Sequence, residues 1–248
     1  MARFLALTCE ALARSIYQIA AETEHTVSVR LFGQGLHNRP KNLRKILQED
    51  INDVAAGDFD AILLVYGMCG TSTVGLTAQG TQLVIPRAHD CITLYLGSRE
   101  RYQEEFERHP GTYWYSVDYI ERADKGASVA LGAAGIEETE AQYEEYVQKF
   151  GKETADYLIE EMRKWTQHYT RAAFIDTGLG DIQAYEKMAK DKAERDGWVF
   201  ERINGNRRLL EILINGNWSD DEFLIVPPGY TIRQDTGEKL IKAVPASS

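Results

Sequence analysis

Short apolar runs separated by longer amphipathic stretches set the pattern of this chain. Met1–Thr8 predicts a strand, followed by a helix over Glu10–Ala21 with Leu12, Ile16 and Ile19 on one side. Val27–Phe32 predicts a second strand, nearly continuous in apolar character as buried parallel strands tend to be. After the loop Gly33–Pro40, Asn42 is placed to cap a helix carrying Leu43, Ile46, Leu47 and Ile51. Ala61–Tyr66 is the third strand. The Gly/Thr/Ser-rich connection Gly67–Gly80 is expected to hold a short helix before a fourth strand, Gln82–Ile85. Cys91–Leu96 predicts the first turns of a helix, and Arg99–His109 a charged helix.

Gly111–Arg122 predicts an aromatic-rich strand and turn, and Ala123–Gly135 a small-residue connector or active-site loop. Glu137–His168 has helical periodicity, with Gly151 marking a break. The order then repeats in outline. Arg171–Asp176 is a strand, and Asp181 caps a helix that runs to Asp196 and stops at Gly197. A strand over Trp198–Ile203, a helix over Asn206–Ile214 and a last strand over Glu222–Val226 follow, with Val244–Ser248 expected to fray. Strands alternating with helices at this spacing predict an α/β fold, mainly parallel and Rossmann-like, with helices on both faces and two βαβαβ-like halves. The expected division is residues 1–122 as an N-terminal α/β half, 123–170 as a helical connector and 171–248 as a C-terminal α/β half.

Composition narrows the classes. An apolar fraction of 44% and a charged fraction of 27% are ordinary for a globular domain. The net charge of -10 argues against general affinity for nucleic-acid phosphates or anionic membranes. No apolar run approaches the ~20 residues of a membrane-spanning helix. Glu10 and Arg14 interrupt the first apolar run too early for a signal peptide. Three cysteines, an odd and sparse count, fit a reducing compartment and a cytoplasmic location.

Each cysteine stands at or just past the end of a predicted strand: Cys9, Cys69 and Cys91. In open parallel sheets ligands bind at the carboxyl ends of strands, where loops converge. His89 and Cys91 alternate, so both face one side of an extended segment. Thiolates with an imidazole suit Zn²⁺ in tetrahedral coordination. Three protein ligands with an open position would make a catalytic site, and four a closed structural one. Alternatively, the three cysteines hold a 4Fe–4S cluster with one iron free for substrate. No Cys-x-x-Cys pair is present, and isolated cysteines are commonly small buried hydrophobes, so the signal lies in the three positions taken together. Asp90 is either a carboxylate that orients His89 or the cap of the following helix.

Gly67, Gly70, Thr71, Ser72 and Thr73 form a loop whose amides and hydroxyls suit an anion, although it lacks the lysine of a phosphate-binding loop. A tight strand-to-helix turn explains those glycines equally well. Gly178-Leu179-Gly180-Asp181 occupies the matching place in the second half. Arg87, a charge directly after a buried strand, calls for a partner or a ligand carboxylate. His37 follows a strand and could project toward the same edge, but alone it reads as a solvent-exposed loop histidine; His25, His109 and His168 read as exposed, and Tyr113, Trp114 and Tyr115 as core rather than the lining of a pocket for a planar ligand.

These residues resemble the DUF1638 family of bacterial and archaeal proteins. The likeness lies in Cys9-Glu10, Leu36-His37-Asn38, Tyr66-Gly67-Met68-Cys69-Gly70 and, most specifically, Pro86-Arg87-Ala88-His89-Asp90-Cys91. It continues through Leu96-Gly97-Ser98, Gly111-Thr112-Tyr113, Gly205, Gly216-Asn217-Trp218 and Pro228-Gly229. It departs at Val117-Asp118-Tyr119, where a tryptophan is expected. The family carries no established activity. The resemblance implies company with corrinoid-dependent methyl-transfer systems, and hence a corrinoid protein as partner. Some corrinoid-linked methyltransferases hold Zn²⁺ through His-x-Cys and a distant Cys, a similarity of site chemistry and not of fold.

The expectation is therefore a metal-dependent enzyme, Zn²⁺-dependent and methyltransferase-like, that transfers a methyl or thiol group of a small-molecule substrate. Cys9, Cys69 and Cys91 are its ligands, His89 a fourth ligand or acid/base, and Arg87 with the Gly67–Thr73 loop holds an anionic group. An iron–sulfur enzyme and a non-catalytic corrinoid or metal accessory protein are the alternatives.

Overall fold

A computed structural model describes residues 1–122, 140–166 and 168–246. Strand β1 (Arg3–Cys9) leads through a 3-10 turn (Glu10–Leu12) into helix α1 (Ala13–Glu22), and then come β2 (Thr26–Phe32) and a second 3-10 turn (Gln34–Asn38). Helix α2 (Pro40–Asn52), β3 (Ala61–Val65), β4 (Leu83–Pro86), α3 (Cys91–Leu96), α4 (Arg99–Arg108), β5 (Thr112–Ser116) and α5 (Val117–Glu121) follow. After the undescribed segment come α6 (Glu140–Phe150), α7 (Lys152–Thr166), β6 (Arg171–Asp176), α8 (Ile182–Asp196), β7 (Val199–Asn204) and α9 (Arg208–Ile214). The chain ends in β8 (Phe223–Val226), β9 (Tyr230–Gln234) and β10 (Ile241–Pro245). The expected Ala123–Gly135 connector lies outside the described residues.

The fold is α/β, as the alternation of elements predicts. Its larger sheet has the order β2-β1-β3-β4-β8, parallel except for β8, which runs antiparallel to β4. A second sheet, β5-β6-β7, is wholly parallel, and β9 with β10 forms an antiparallel hairpin. The chain divides into two compact units, Met1–Tyr102 with Gly205–Ser248, and Gln103–Asn204. The strand over Thr112–Ser116 thus pairs with β6, and the last βα elements return to the first unit.

In the first unit one face of the sheet presents Leu5, Leu7, Ile62, Leu64, Leu83 and Ile85 to Leu43, Leu47 and Ile51 of α2, with Ile232 and Ile241 of the hairpin in the same core. The other face buries Ala6, Leu63, Val65 and Val84, and α9 packs against β3, β4 and α1 through a helix whose Leu209, Leu210, Leu213 and Ile214 are buried. Helix α2 begins at Pro40 with no side-chain cap, so Asn42 is inside the helix and does not cap it. Proline is preorganised at that first position. Three buried side chains at about 1.5–3 kcal/mol each outweigh a missing cap worth about 1 kcal/mol.

Several local expectations are corrected. β2 alternates exposed and half-buried residues along Thr26–Phe32, because it is the edge of the sheet and only one face is covered. The Gly67–Gly80 connection is a run of turns with no helix. Val117–Glu121 is a helical turn capped by the Ser116 hydroxyl, and Val244 is paired with Thr231 in the hairpin and is not frayed. His25 is half-buried, where the edge of its ring meets Phe4. Gly151, at φ 81°, does separate α6 from α7.

The second unit is built on the aromatic strand β5. Tyr113 and Tyr115 are buried, with Tyr113 in ring contact with Tyr115, Tyr169 and Trp198. They pack with Phe174 of β6 and with Ala189 and Ala193 of α8, so these aromatics are core. The Asp181 side chain accepts from the Ala184 amide and Gly197 ends the helix at φ 74°, as predicted. In the Gly178–Asp181 loop the Gly178 amide donates to Asp176, so the loop is a capped turn.

Candidate functional site

The parallel strands β2, β1, β3 and β4 bring their carboxyl ends to one edge. The chain passes from β1 to β2 on one side and then to β3 on the other, so the order reverses between β1 and β3. At such a reversal the loops diverge and leave a crevice for ligands. Cys9 is the last residue of β1, and Tyr66 to Cys69 follow β3 directly.

Beyond the strands the backbones of the two cysteine-bearing segments stay paired. The Met68 amide donates to the Ala88 carbonyl at 2.8 Å and the Cys69 amide to the His89 carbonyl at 3.0 Å. Gly67 makes this approach possible, since a β-carbon there would lie 2.6 Å from the Asp90 amide nitrogen. The turn that follows is strained: Cys69 and Thr71 have φ of 44° and 75°, in the left-handed region that side chains avoid, with Gly70 at 62° between them. Such strain persists only where surrounding bonds enforce it, and it concentrates at functional sites. Here the Ser72 hydroxyl donates to the Cys69 carbonyl at 2.7 Å, the Thr73 hydroxyl to the Gly67 carbonyl at 3.3 Å, and Arg44 to the Thr71 carbonyl at 2.7 Å. Ser72 and Thr73 are fully buried, so their hydroxyls hold the loop in shape and do not cradle an anion.

Asp90 is the cap of α3. Its carboxylate accepts from the amides of Ile92 and Thr93 at 3.0 and 3.2 Å, with the Tyr102 hydroxyl at 3.4 Å. Burial pushes its carboxyl above the ordinary value, against those two amides and the nearby His89. His89 is exposed, its ring 6.0 Å from that of Tyr102.

All three cysteines are free and half-buried by residue. Burial pushes the Cys9 thiol up to about 11, opposed by the Ala11 amide and assisted by Glu10. Burial raises Cys69 further, with Cys9 and Asp90 adding to it, and raises Cys91 with help from Asp90, Cys69 and Cys9. Among the described residues, no three or more His, Cys, Asp or Glu side chains stand together at metal-holding geometry. The donor set nonetheless suits a thiophilic cation: three desolvated thiols resist ionisation alone, and a bound cation inverts that preference.

Tyr66 was not anticipated as a site residue. It is 3% exposed, and its hydroxyl is buried without a hydrogen-bond partner. Such an unpaired group costs about 1–3 kcal/mol. Burial, then Cys9, Cys69 and Glu10, raise its pKa, which keeps its proton on. The available signal was a residue with a polar tip directly after an apolar strand and before glycine.

Arg87 has another role than the expected one. Only 3% exposed, it donates from Nε to the carbonyls of Asp220 and Phe223, from Nη1 to those of Lys239 and Ile241, and from Nη2 to the Asp220 carboxylate at 3.0 Å. It clasps β4 to the C-terminal segment and does not face an anionic ligand. His37 is half-buried, not a freely exposed loop residue. Its ring meets the Gln34 carbonyl, and burial lowers its pKa.

A family model described as "Protein of unknown function (DUF1638)" matches residues 31–214. No curated protein and no solved structure matches the chain.

Proposed function

This chain belongs to the DUF1638 family, and we propose that it is a zinc-dependent enzyme whose centre lies at the strand ends of its larger sheet. Cys9, Cys69 and Cys91 are the ligands. The observation that carries the reading is the position of the three cysteines at the carboxyl edge of the parallel sheet: Cys9 ends β1, Cys69 follows β3, and Cys91 opens α3 after β4. Three thiolates with an open fourth position are the arrangement of a catalytic zinc site, not a structural one.

Zn²⁺ held there supplies a Lewis acid that lowers the pKa of a substrate thiol or water. The chain's residues do the rest. Gly67 and the strained Cys69 turn set one ligand against the segment that carries another. Asp90 fixes the start of α3 and with it Cys91. His89, exposed beside this segment, would take the proton of a substrate thiol so that its sulfur can accept a methyl group. The donor would be a methylated corrinoid protein, the partner that the family resemblance implies, whose corrinoid keeps the electron pair of the methyl bond as that bond breaks and the S–C bond forms. A reducing, cytoplasmic setting keeps all three thiols free for this role.

Anaerobic purification with metal analysis and a visible spectrum tests this. About one equivalent of zinc is expected per chain, lost in Cys69→Ser and Cys91→Ser. Iron with matching sulfide and a broad visible band would replace zinc by the iron–sulfur reading. Cys91→Ser with full metal content would overturn the shared site.

A further inference from the structure

We propose that the Tyr66 hydroxyl donates a hydrogen bond to the ligand bound at the thiol site, so that this ligand presents an anionic or carbonyl-type acceptor atom there. The inference rests on the metal-centre reading and adds the chemistry of the ligand to it.

Tyr66 directly follows β3, which lies between β1 and β4, and its ring is part of the core that includes Leu7, Leu64 and Met68. The side chain is therefore fixed by packing, and only its tip is left without a protein partner. Native folds pair nearly all buried polar atoms, so an orphan at a strand-end crevice points to something outside the chain. A tyrosine hydroxyl both donates and accepts, and the surroundings decide which. Thr8 of β1 pairs with Val65 of β3, which sets the next residues, Cys9 and Tyr66, side by side, and a thiol sulfur is only a weak acceptor. The hydroxyl's proton is therefore the group left without a strong partner. The missing partner is accordingly an acceptor: a carboxylate or carbonyl oxygen, a thiolate, or a small inorganic anion.

The test uses the full chain loaded with Co²⁺ in place of Zn²⁺ and titrated with azide, read from the visible spectrum. Wild type and Tyr66→Phe are expected to take up equal cobalt with equal charge-transfer intensity. Azide affinity is expected to fall about tenfold or more in Tyr66→Phe, the loss of one hydrogen bond to a charged acceptor. Thermal stability without azide should be unchanged or raised, because the variant removes an orphan. Equal azide affinity in both proteins overturns the inference and assigns the hydroxyl to bound water. So does a wild-type cobalt spectrum that ignores azide, or loss of cobalt in Tyr66→Phe alone, and both leave the metal reading standing. No cobalt uptake by wild type overturns the metal reading, and this inference with it.

Discussion

Gly67 passes so close to Asp90 that a β-carbon on it would sit 2.6 Å from the Asp90 amide nitrogen and 2.7 Å from its α-carbon. Both obstacles are backbone and cannot rotate away. Gly67→Ala must therefore push the Cys69 turn off the His89–Cys91 segment. The expected cost is about 1–3 kcal/mol of stability, typical of overpacking, together with weakened metal uptake. Urea denaturation and metal stoichiometry of the same preparation check both.

Arg87 separates folding from the site. In Arg87→Ala the buried carbonyls of Phe223 and Ile241 lose their donor, which costs about 3 kcal/mol in sum at the usual penalty for unpaired buried groups. Arg87→Lys should recover little, since a single ammonium cannot span carbonyls that a guanidinium reaches along separate directions. Refolded under stabilising conditions, both variants should bind metal as wild type does. Equilibrium denaturation and metal analysis make the comparison.

Asp90 carries a cap and a charge that can be removed separately. Its carboxyl is raised above 3.8 by burial. A raised folded-state pKa gives stability that is full below the unfolded value and is lost as pH rises through the folded one. At neutral pH the charge is thus a burden on the fold. Asp90→Asn, which keeps an acceptor for the Ile92 and Thr93 amides, should be as stable as wild type or more so at neutral pH. The difference should fade below about pH 4. Asp90→Ala should lose about 1 kcal/mol with the cap. Because Asp90 also raises Cys69 and Cys91, Asp90→Asn should shift thiol alkylation to lower pH, as a reactivity profile would show.

Cys9 predicts an alkaline weakness in the metal-free chain. Its folded-state pKa is about 11 against an ordinary 9.0. Between those values the folded state holds a proton that the unfolded state releases, so stability falls as pH rises through that window. Cys9→Ala should flatten this part of the curve relative to wild type, and denaturation midpoints across that pH range would show it.

The α/β class and most strand positions were legible because buried parallel strands are apolar runs, and Ala61–Val65 and Leu83–Pro86 are buried at every residue. The three cysteines were legible as strand-end residues by the same logic. The partition was not, because nothing local to Thr112–Ser116 or Phe223–Val226 says which sheet each joins: β5 pairs with a strand about sixty residues on, and β8 with one far behind it. Sequence patterning does not display the hairpin of β9 and β10, since it buries the adjacent Thr231 and Ile232 and then only Ile241, with no alternation to read. Arg87 was singled out correctly as needing partners, but those partners are backbone carbonyls, which sequence patterns do not display. The orphaned Tyr66 hydroxyl is a property of what surrounds it, and no residue type announces that.

The antiparallel return of β8 to β4 has a consequence for biosynthesis. Until Asp220–Ile241 has left the ribosome, Leu83–Pro86 is an unprotected sheet border and the Arg87 guanidinium lacks every partner described for it. The intervening residues of Gln103–Asn204 are made meanwhile and form their own unit. A nascent chain halted before β8 should accordingly be a chaperone client, and this sheet should close only once Phe223–Pro245 has emerged.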